Sequence, residues 1–291
     1  MKKLSFLIII VVLLFAFKPD DNFVTIDKAV NAGLISCSVK VNPGSTHYIK
    51  PLAITVKNNK STPIALKVPN GMQFFPLDSS YQNLITTQEE LLTLNPEKSV
   101  TIPLYAMCTE HSDRAPAPDV HYNLGKQAND KVTKLTQYIE KQKLHDPLGQ
   151  SAVWAMTSGT PLEDITGFDT TAARQLIKYV ANALGKPIPP PPAPDDSRRN
   201  YYSTNYSRTM SGYFNYNFPK TMAVTIALFN KDNIVVRELY RNTKETPGSH
   251  KLEYKFDATL YNDSFYYLRL IADGEIILSS TVKTKHNINN N

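Results

Sequence analysis

The chain has 291 residues, 42% of them hydrophobic and 20% charged, with 16 tyrosines, 20 prolines and 11 glycines. This composition excludes a disordered chain, a collagen and a disulfide-stapled scaffold, and the length fits two domains of about 100–200 residues. The net charge of +6 is spread along the chain, which argues against nucleic-acid binding, because such proteins concentrate Lys and Arg on one face or helix.

The first residues have the pattern of an export signal. Lys2 and Lys3 precede an unbroken apolar run from Leu4 to Phe17. As a helix this run is about 21 Å long, short of the ~30 Å hydrocarbon core of a bilayer. We therefore predict a signal peptide over residues 1–18 and a periplasmic, cell-surface or secreted protein. The alternative is that this segment is not cleaved and anchors the protein in the membrane. The sequence predicts no other membrane contact.

Residues 23–186 are predicted to be an α+β domain, an Ig-like β-sandwich followed by a helical hairpin. Apolar residues alternate with polar ones at 35–41, 52–56, 64–68 and 102–108, between stretches rich in Asn, Gly, Pro and Ser, which predicts strands. Helical spacing of apolar residues then predicts helices over about 127–144, 150–156 and 170–184. Asp169 or Thr170 is expected to cap the last helix, and Gly185 followed by Pro187 to end it.

The C-terminal part of the chain is predicted to be a second sandwich. Residues 187–199 contain a proline run, which predicts an extended linker. Alternation returns over 200–285, with turns at 230–233 and at Asp273-Gly274, and predicts an Ig-like β-sandwich. Residues 286–291 are predicted to be a disordered tail. The fold class is therefore mainly β with an α+β N-terminal domain.

The C-terminal region also resembles a known family. The residues that carry the resemblance are Val224-x-Ile226-x-Leu228-Phe229-Asn230-x-Asp232, the stretch 234–239, Pro247-Gly248-x-His250, the stretch 265–270 and Ala272-Asp273-Gly274. Over 222–285 the chain resembles the Ig-like domain of the flagellar hook-capping (FlgD) type and the related C-terminal sorting domains of the type IX secretion system. The resemblance implies a β-sandwich with a role in secretion or anchoring. The N-terminal domain is similar to exported Ig-like domains in outline only.

Two cysteines and their neighbours are candidates for chemistry. Cys37 and Cys108 each lie on the apolar face of a predicted strand. Outside the cytoplasm they are a candidate disulfide, and the alternative is two buried free thiols. Cys108, His111 and Asp113 are also a candidate hydrolase or metal site. On a strand, however, His111 would face away from Cys108, and surface-loop residues are the simpler interpretation.

The last candidate is a tyrosine-rich interaction surface. Tyr201, Tyr202, Tyr206 and Tyr213 alternate with Asn and Ser beside the predicted linker, and tyrosine suits protein or glycan interfaces. The alternative is that this segment is only a linker that leads into the next strand. No G-x-S-x-G, P-loop or G-x-G-x-x-G motif is present, and we predict no cofactor and no metal. The sequence thus favours an exported, non-catalytic binding or assembly protein of the cell envelope or surface, with an exported hydrolase as the alternative.

Overall fold

The structure, a computed structural model, describes residues 23–191, 209–258 and 262–283. Within these ranges the chain is mainly β, which confirms the predicted class at that level. The N-terminal strands are β1 Val24–Thr25, β2 Ile35–Val41, β3 Leu52–Asn58, β4 Ile64–Val68, β5 Met72–Pro76, β6 Leu84–Thr86, β7 Glu90–Leu94, β8 Ser99–Leu104, β9 Ala106–Cys108 and β10 His121–Gln127. The helices are α1 Ile26–Asn31, α2 Asp130–Gln142, α3 Pro147–Thr157 and α4 Thr170–Leu184, with a 3₁₀ turn at Leu162–Asp164. The C-terminal strands are β11 Thr209–Phe218, β12 Met222–Phe229, β13 Val235–Glu245, β14 Gly248–Asp257, β15 Phe265–Ala272 and β16 Glu275–Lys283.

A seven-stranded sheet in the order β8-β3-β2-β10-β5-β6-β9 forms the main layer of the N-terminal region. Its two edge strands are separated by Tyr105 alone. Leu104 pairs with Leu52 of β3, and Ala106 pairs with Thr86 of β6. The sheet therefore curves until its edges meet, and the strand predicted at 102–108 is observed as two strands that bond to different neighbours. A smaller sheet, β1-β4-β7, packs against it.

The three longer helices are observed near the predicted ranges. α4 has the predicted bounds, α2 begins three residues later and ends two residues earlier, and α3 begins three residues earlier. Asn129, Asp146 and Asp169 each accept a hydrogen bond from a backbone N–H of the first turn of α2, α3 and α4, which is the usual role of an N-cap residue. Gly185 ends α4 in the left-handed conformation at φ 67°, which glycine adopts without steric cost. Helix α1 was not predicted, because its six residues are too few to show a helical period.

The C-terminal region is built from two sheets packed face to face. The first is β11-β14, and the second is β13-β12-β15-β16. Alternate residues of each strand turn inward, so that Phe218 and Leu252 of the first sheet share an apolar core with Ile226, Leu228 and Leu268 of the second. The predicted hairpin at Asp273-Gly274 is confirmed, since Ala272 pairs with Glu275 across it.

The other face of the four-stranded sheet is buried against the N-terminal region. Ala227 and Phe229 of β12, Val235 of β13 and Ile271 of β15 belong to the same apolar cluster as Trp154 of α3. The two regions therefore share one continuous core. Of the predicted linker, residues 187–191 are described, and Pro189 accepts a hydrogen bond from Arg174 of α4; residues 192–199 lie outside the described ranges, as do the predicted signal peptide and tail. No helix in the described part is both long enough and apolar enough to cross a membrane.

Candidate functional site

The β11-β14 sheet turns its second face to solvent. We call this surface the outer face. It consists of the exposed side chains of alternate residues, Ser211, Tyr213, Asn215 and Asn217 on β11 and Ser249, Lys251, Glu253 and Lys255 on β14. Because side chains alternate along a strand, none of these residues is needed by the core beneath, which is formed by Phe214, Phe218 and Leu252.

Tyr213 is the aromatic centre of the outer face. Its side chain is 54% exposed, and the ammonium of Lys251 lies 4.2 Å from the ring centroid. Glu253 is its cross-strand partner and Asn215 pairs with Lys251. One end of the face carries a shallow open groove of about 510 Å³, lined by Asn215, Tyr216, Asn217, Ser249, His250 and Lys251. The face thus combines a stiff aromatic ring with amide, hydroxyl and cationic groups.

The structure places one of the four tyrosines of the predicted interaction surface. Tyr213 lies on β11 and points outward. Tyr201, Tyr202 and Tyr206 lie outside the described residues. The sequence pattern of tyrosine with Asn and Ser extends into β11, where Ser211, Asn215 and Asn217 belong to the outer face.

Cys37 and Cys108 do not form the disulfide considered above. Both thiols are free. Cys37 is in register with Val56, which is in register with Val100 on β8, whereas Cys108 follows Val100 by eight residues along β8 and β9. At about 3.3 Å per residue this places the two thiols toward opposite ends of the sheet, while a disulfide needs Cα atoms within about 7 Å.

The geometry around Cys108 gives no support to a nucleophile. The side chain is fully buried, and burial raises its pKa well above the usual value, with Glu110 adding to the effect. Its thiol donates to the carbonyl of His47, and its backbone N–H and C=O both bond to the Gln150 amide. A protonated thiol enclosed in this way is a weak nucleophile.

His111 and Asp113 are held by structural contacts instead. His111 is exposed, its backbone N–H donates to the Ser158 hydroxyl, and its ring meets Trp154 edge-on at 4.9 Å. The backbone carbonyl of Asp113 accepts from Gln82. Within residues 23–191, 209–258 and 262–283, no three His, Cys, Asp or Glu side chains converge as a metal site would require.

His47 lies at the interface between the two regions. It is 5% exposed, and its Nε2 accepts a hydrogen bond of 3.0 Å from the backbone N–H of Val235. Its ring stacks on Trp154 at 5.7 Å and meets Tyr48 edge-on at 5.1 Å. The pKa of His47 is lowered to about 3, mainly by burial and secondly by the positive charge of Arg269. The imidazole is therefore neutral at physiological pH, as an Nε2 acceptor must be.

A cluster of three charged side chains lies at another part of this interface. Arg241 of β13 reaches Asp146, the N-cap residue of α3, at 2.7 Å and Glu238 at 2.8 Å. The carboxylates are nearly buried, and the guanidinium is 22% exposed. Burial raises the pKa of Glu238, with Arg241 opposing the shift, and the two carboxylates together raise the pKa of Arg241. The ionised form of each carboxylate is therefore stabilised by Arg241, and the charge of Arg241 is stabilised by the two carboxylates.

Three further hydrogen bonds join loops of the two regions. The Ser45 hydroxyl donates to the carbonyl of Gly274. The N–H of Ile276 donates to the carbonyl of Gly44, and the N–H of Ala115 donates to the carbonyl of Asp232. The turns of the C-terminal region are therefore held by loops of the N-terminal region, through one side chain and two pairs of backbone groups.

Sequence reasoning missed His47, Arg241 and Asp146. His47 stands in a loop of mixed composition and Arg241 in an alternating strand, so neither has a local pattern that marks it. Asp146 followed by Pro147 is a helix-start signal that the sequence does carry. Comparison with known proteins adds no relative, since no protein-family model, curated protein or solved structure matches the chain.

Proposed function

We propose that this protein is exported and acts as a non-catalytic binding or assembly protein of the cell envelope or cell surface, with the outer face as its contact surface. The observation that carries the proposal is the composition of that face. Along β11 Tyr213 lies between Ser211 and Asn215, with Asn217 further along, Glu253 stands opposite it on β14, and the Lys251 ammonium lies over its ring. Tyrosine, serine and asparagine are the residues that binding loops use most, because they give stiff contact area and adaptable hydrogen bonds.

The backbone of the outer face supports the same use. β11 has ten residues and pairs with β14 alone among the described strands. Its other edge therefore offers N–H and C=O groups to an added strand, and strand addition combines such backbone bonds with side-chain pockets for specificity. We therefore propose a protein segment as the partner. The experiment below distinguishes it from a glycan.

The architecture assigned to the C-terminal region belongs to this proposal. Two antiparallel sheets over one core, with the resemblance of 222–285 to FlgD-type and type IX sorting domains, support an Ig-like sandwich that serves in secretion or anchoring. The burial of β12, β13 and β15 against the N-terminal region leaves β11 and β14 outward. Contact with a partner is then expected at the β11-β14 side.

Site-specific photo-crosslinking in the native host tests the contact surface. A benzophenone side chain replaces Tyr213 in the full chain, and the matched control carries it at Thr101, which is exposed on β8 of the N-terminal region. We expect a discrete crosslinked protein from position 213 and none from position 101. Equal labelling at both positions, or no crosslink at position 213 together with no Tyr213-dependent signal on a glycan array, overturns the outer face as the contact. A glycan partner would give a Tyr213-dependent signal on a glycan array with no protein crosslink.

Fractionation tests the export part separately. The full chain is expected in the periplasm, on the surface or in the medium, and the chain lacking residues 2–17 in the cytoplasm. If both forms have the same distribution, the export part of the proposal is wrong, and the role of the outer face is unaffected.

A further inference from the structure

The interface between the two regions contains a pocket that the outer face does not involve. It has a volume of about 210 Å³, against about 30 Å³ for one water molecule in the liquid. It can therefore hold a small acid or one side chain. The wall includes loop prolines on the N-terminal side and Asn233, Arg269 and Ile276 on the C-terminal side; the prolines are Pro43, Pro51, Pro116 and Pro118.

Arg269 supplies the charge of this pocket. It lies on β15 between Leu268 and Leu270, which face the opposite core, so alternation turns Arg269 toward the interface. Its guanidinium lies 4.6 Å from the ring centroid of Phe229 and 5.2 Å from that of Tyr267. Stacking on two rings fixes the plane of the group and leaves its N–H edge for hydrogen bonds.

The charge of Arg269 has no counter-ion in the described part of the chain. Its one hydrogen bond there runs from Nη2 to Oδ1 of Asn233 at 2.5 Å. Burial lowers the pKa of Arg269, and the groups that oppose this are the phenols of Tyr48 and Tyr267. Arg269 is half-buried, and a guanidinium carries five N–H donors. Its remaining N–H groups are therefore open to the pocket and available to an anion.

A further observation shows that the C-terminal wall of the pocket is organised. Asn233 is held at φ 62° in a turn that Asn230 closes by accepting from the N–H groups of Asp232 and Ile234. The residue that orients Arg269 is therefore itself fixed.

We propose that this pocket binds a carboxylate, which Arg269 receives through its free N–H edge. A planar guanidinium and a planar carboxylate fit through two parallel hydrogen bonds. The carboxylate belongs either to a small free acid or to the acidic side chain or C-terminus of a peptide. Such a ligand also contacts both regions and so strengthens their association. The proposal is independent of the outer face, which lies on the far side of the C-terminal core.

Isothermal titration calorimetry of the full chain with acetate, succinate and inorganic phosphate tests the chemistry. A short acetylated peptide with a free C-terminus, and the same peptide as an amide, distinguish the two sources. We expect succinate or the free peptide to bind, and Arg269→Gln to weaken that binding by about tenfold or more, as the loss of charge-assisted hydrogen bonds implies. Arg237→Gln, at an exposed position of β13, is the matched control and should bind as the wild type does.

Binding that Arg269→Gln and Arg237→Gln weaken equally, or phosphate binding tighter than either carboxylate, overturns the proposal. So does the absence of any heat with all probes. If Arg269→Gln does not fold by circular dichroism, Asn233→Ala takes its place, because it keeps the charge and removes the side chain that orients it. Unchanged carboxylate affinity in a folded Asn233→Ala protein, together with unchanged Arg269 side-chain NMR signals on titration, contradicts the assignment.

Discussion

Val235 donates its backbone N–H to Nε2 of His47 across 188 residues of sequence, and this buried hydrogen bond joins the two regions of the protein. Trp154 stacks on the same imidazole, and Phe229 of β12 meets it edge-on at 6.3 Å. A buried donor on a β-strand edge is costly to leave unpaired. The neutral state of His47 is therefore a condition for the association of the two regions.

Acid is expected to weaken the fold through His47. Its pKa is about 3 in the folded protein against 6.5 when exposed, so the unfolded state binds the proton first as the pH falls. Stability from this group is complete above about pH 6.5 and is lost between there and pH 3, with about 2 kcal/mol gone at pH 5. Urea unfolding at pH 7 and pH 5 measures the loss.

His47→Gln is the comparison, because glutamine keeps an acceptor and cannot titrate in this range. We expect the variant to be less stable at pH 7 but to lose about 2 kcal/mol less than the wild type on acidification. Parallel pH profiles for the two proteins would contradict a role for this imidazole.

The shared core predicts a single unfolding transition. Phe229 is fully buried on the interface side of β12, and Leu268 is fully buried between the two sheets of the C-terminal region. Alanine at either site should cost about 3–4 kcal/mol through lost burial and a cavity. Trp154, the one tryptophan, reports by fluorescence from the N-terminal side. Both variants should move its transition and the circular dichroism transition together.

Independent regions would behave differently. In that case Leu268→Ala would lower only part of the circular dichroism change and leave the Trp154 transition where it is in the wild type. Such a split would show that the interface is too weak to couple the two regions.

The three longer helices and most strands could be predicted because their signals are local. Val132, Leu135 and Ile139 mark one face of α2, and Asp169 with Gly185 bounds α4. The break at Tyr105 could not be predicted, since the alternation of apolar residues continues through it and only the partner strand changes. The same holds for β12, where Ile226 and Phe229 are equally apolar but serve two different cores.

The candidate site residues also differ in whether a local sequence signal marks them. Tyr213 could be singled out in the sequence because tyrosines among Asn and Ser form a local pattern, and the structure shows its side chain exposed. Arg269 and Asn233 are 36 residues apart and become neighbours only through the pairing of β12 with β13 and β15. Cys108 and His111 are close in sequence, but the burial of the first and the exposure of the second separate their chemistry.

The charge cluster at Arg241 predicts a large effect from a single substitution. Arg241→Met keeps the stem of the side chain and removes the charge, which leaves Asp146 and Glu238 nearly buried without a cation. Breaking a buried ion pair in this way costs about 3–5 kcal/mol, and the partial exposure of Arg241 places the expected loss at the lower end. Arg237→Met, at the exposed site on the same strand, should change stability by less than about 0.5 kcal/mol. Equal effects of the two substitutions in urea unfolding would show that the cluster is not a structural element.

The two cysteines give the last prediction. Both are free, Cys108 is fully buried, and burial raises the pKa of both thiols. A thiol reagent should therefore react slowly with Cys37 and almost not at all with Cys108 in the native protein, because the thiolate is the reactive form and must be reached. In unreduced, urea-unfolded protein both should react at once, giving two thiols per chain. The Cys37→Ser variant identifies which thiol is protected, since its native form should lose the slow reaction of the wild type and show almost none. Fewer than two thiols in the unreduced unfolded wild type would mean that a disulfide forms after all, against the register that holds the two residues apart.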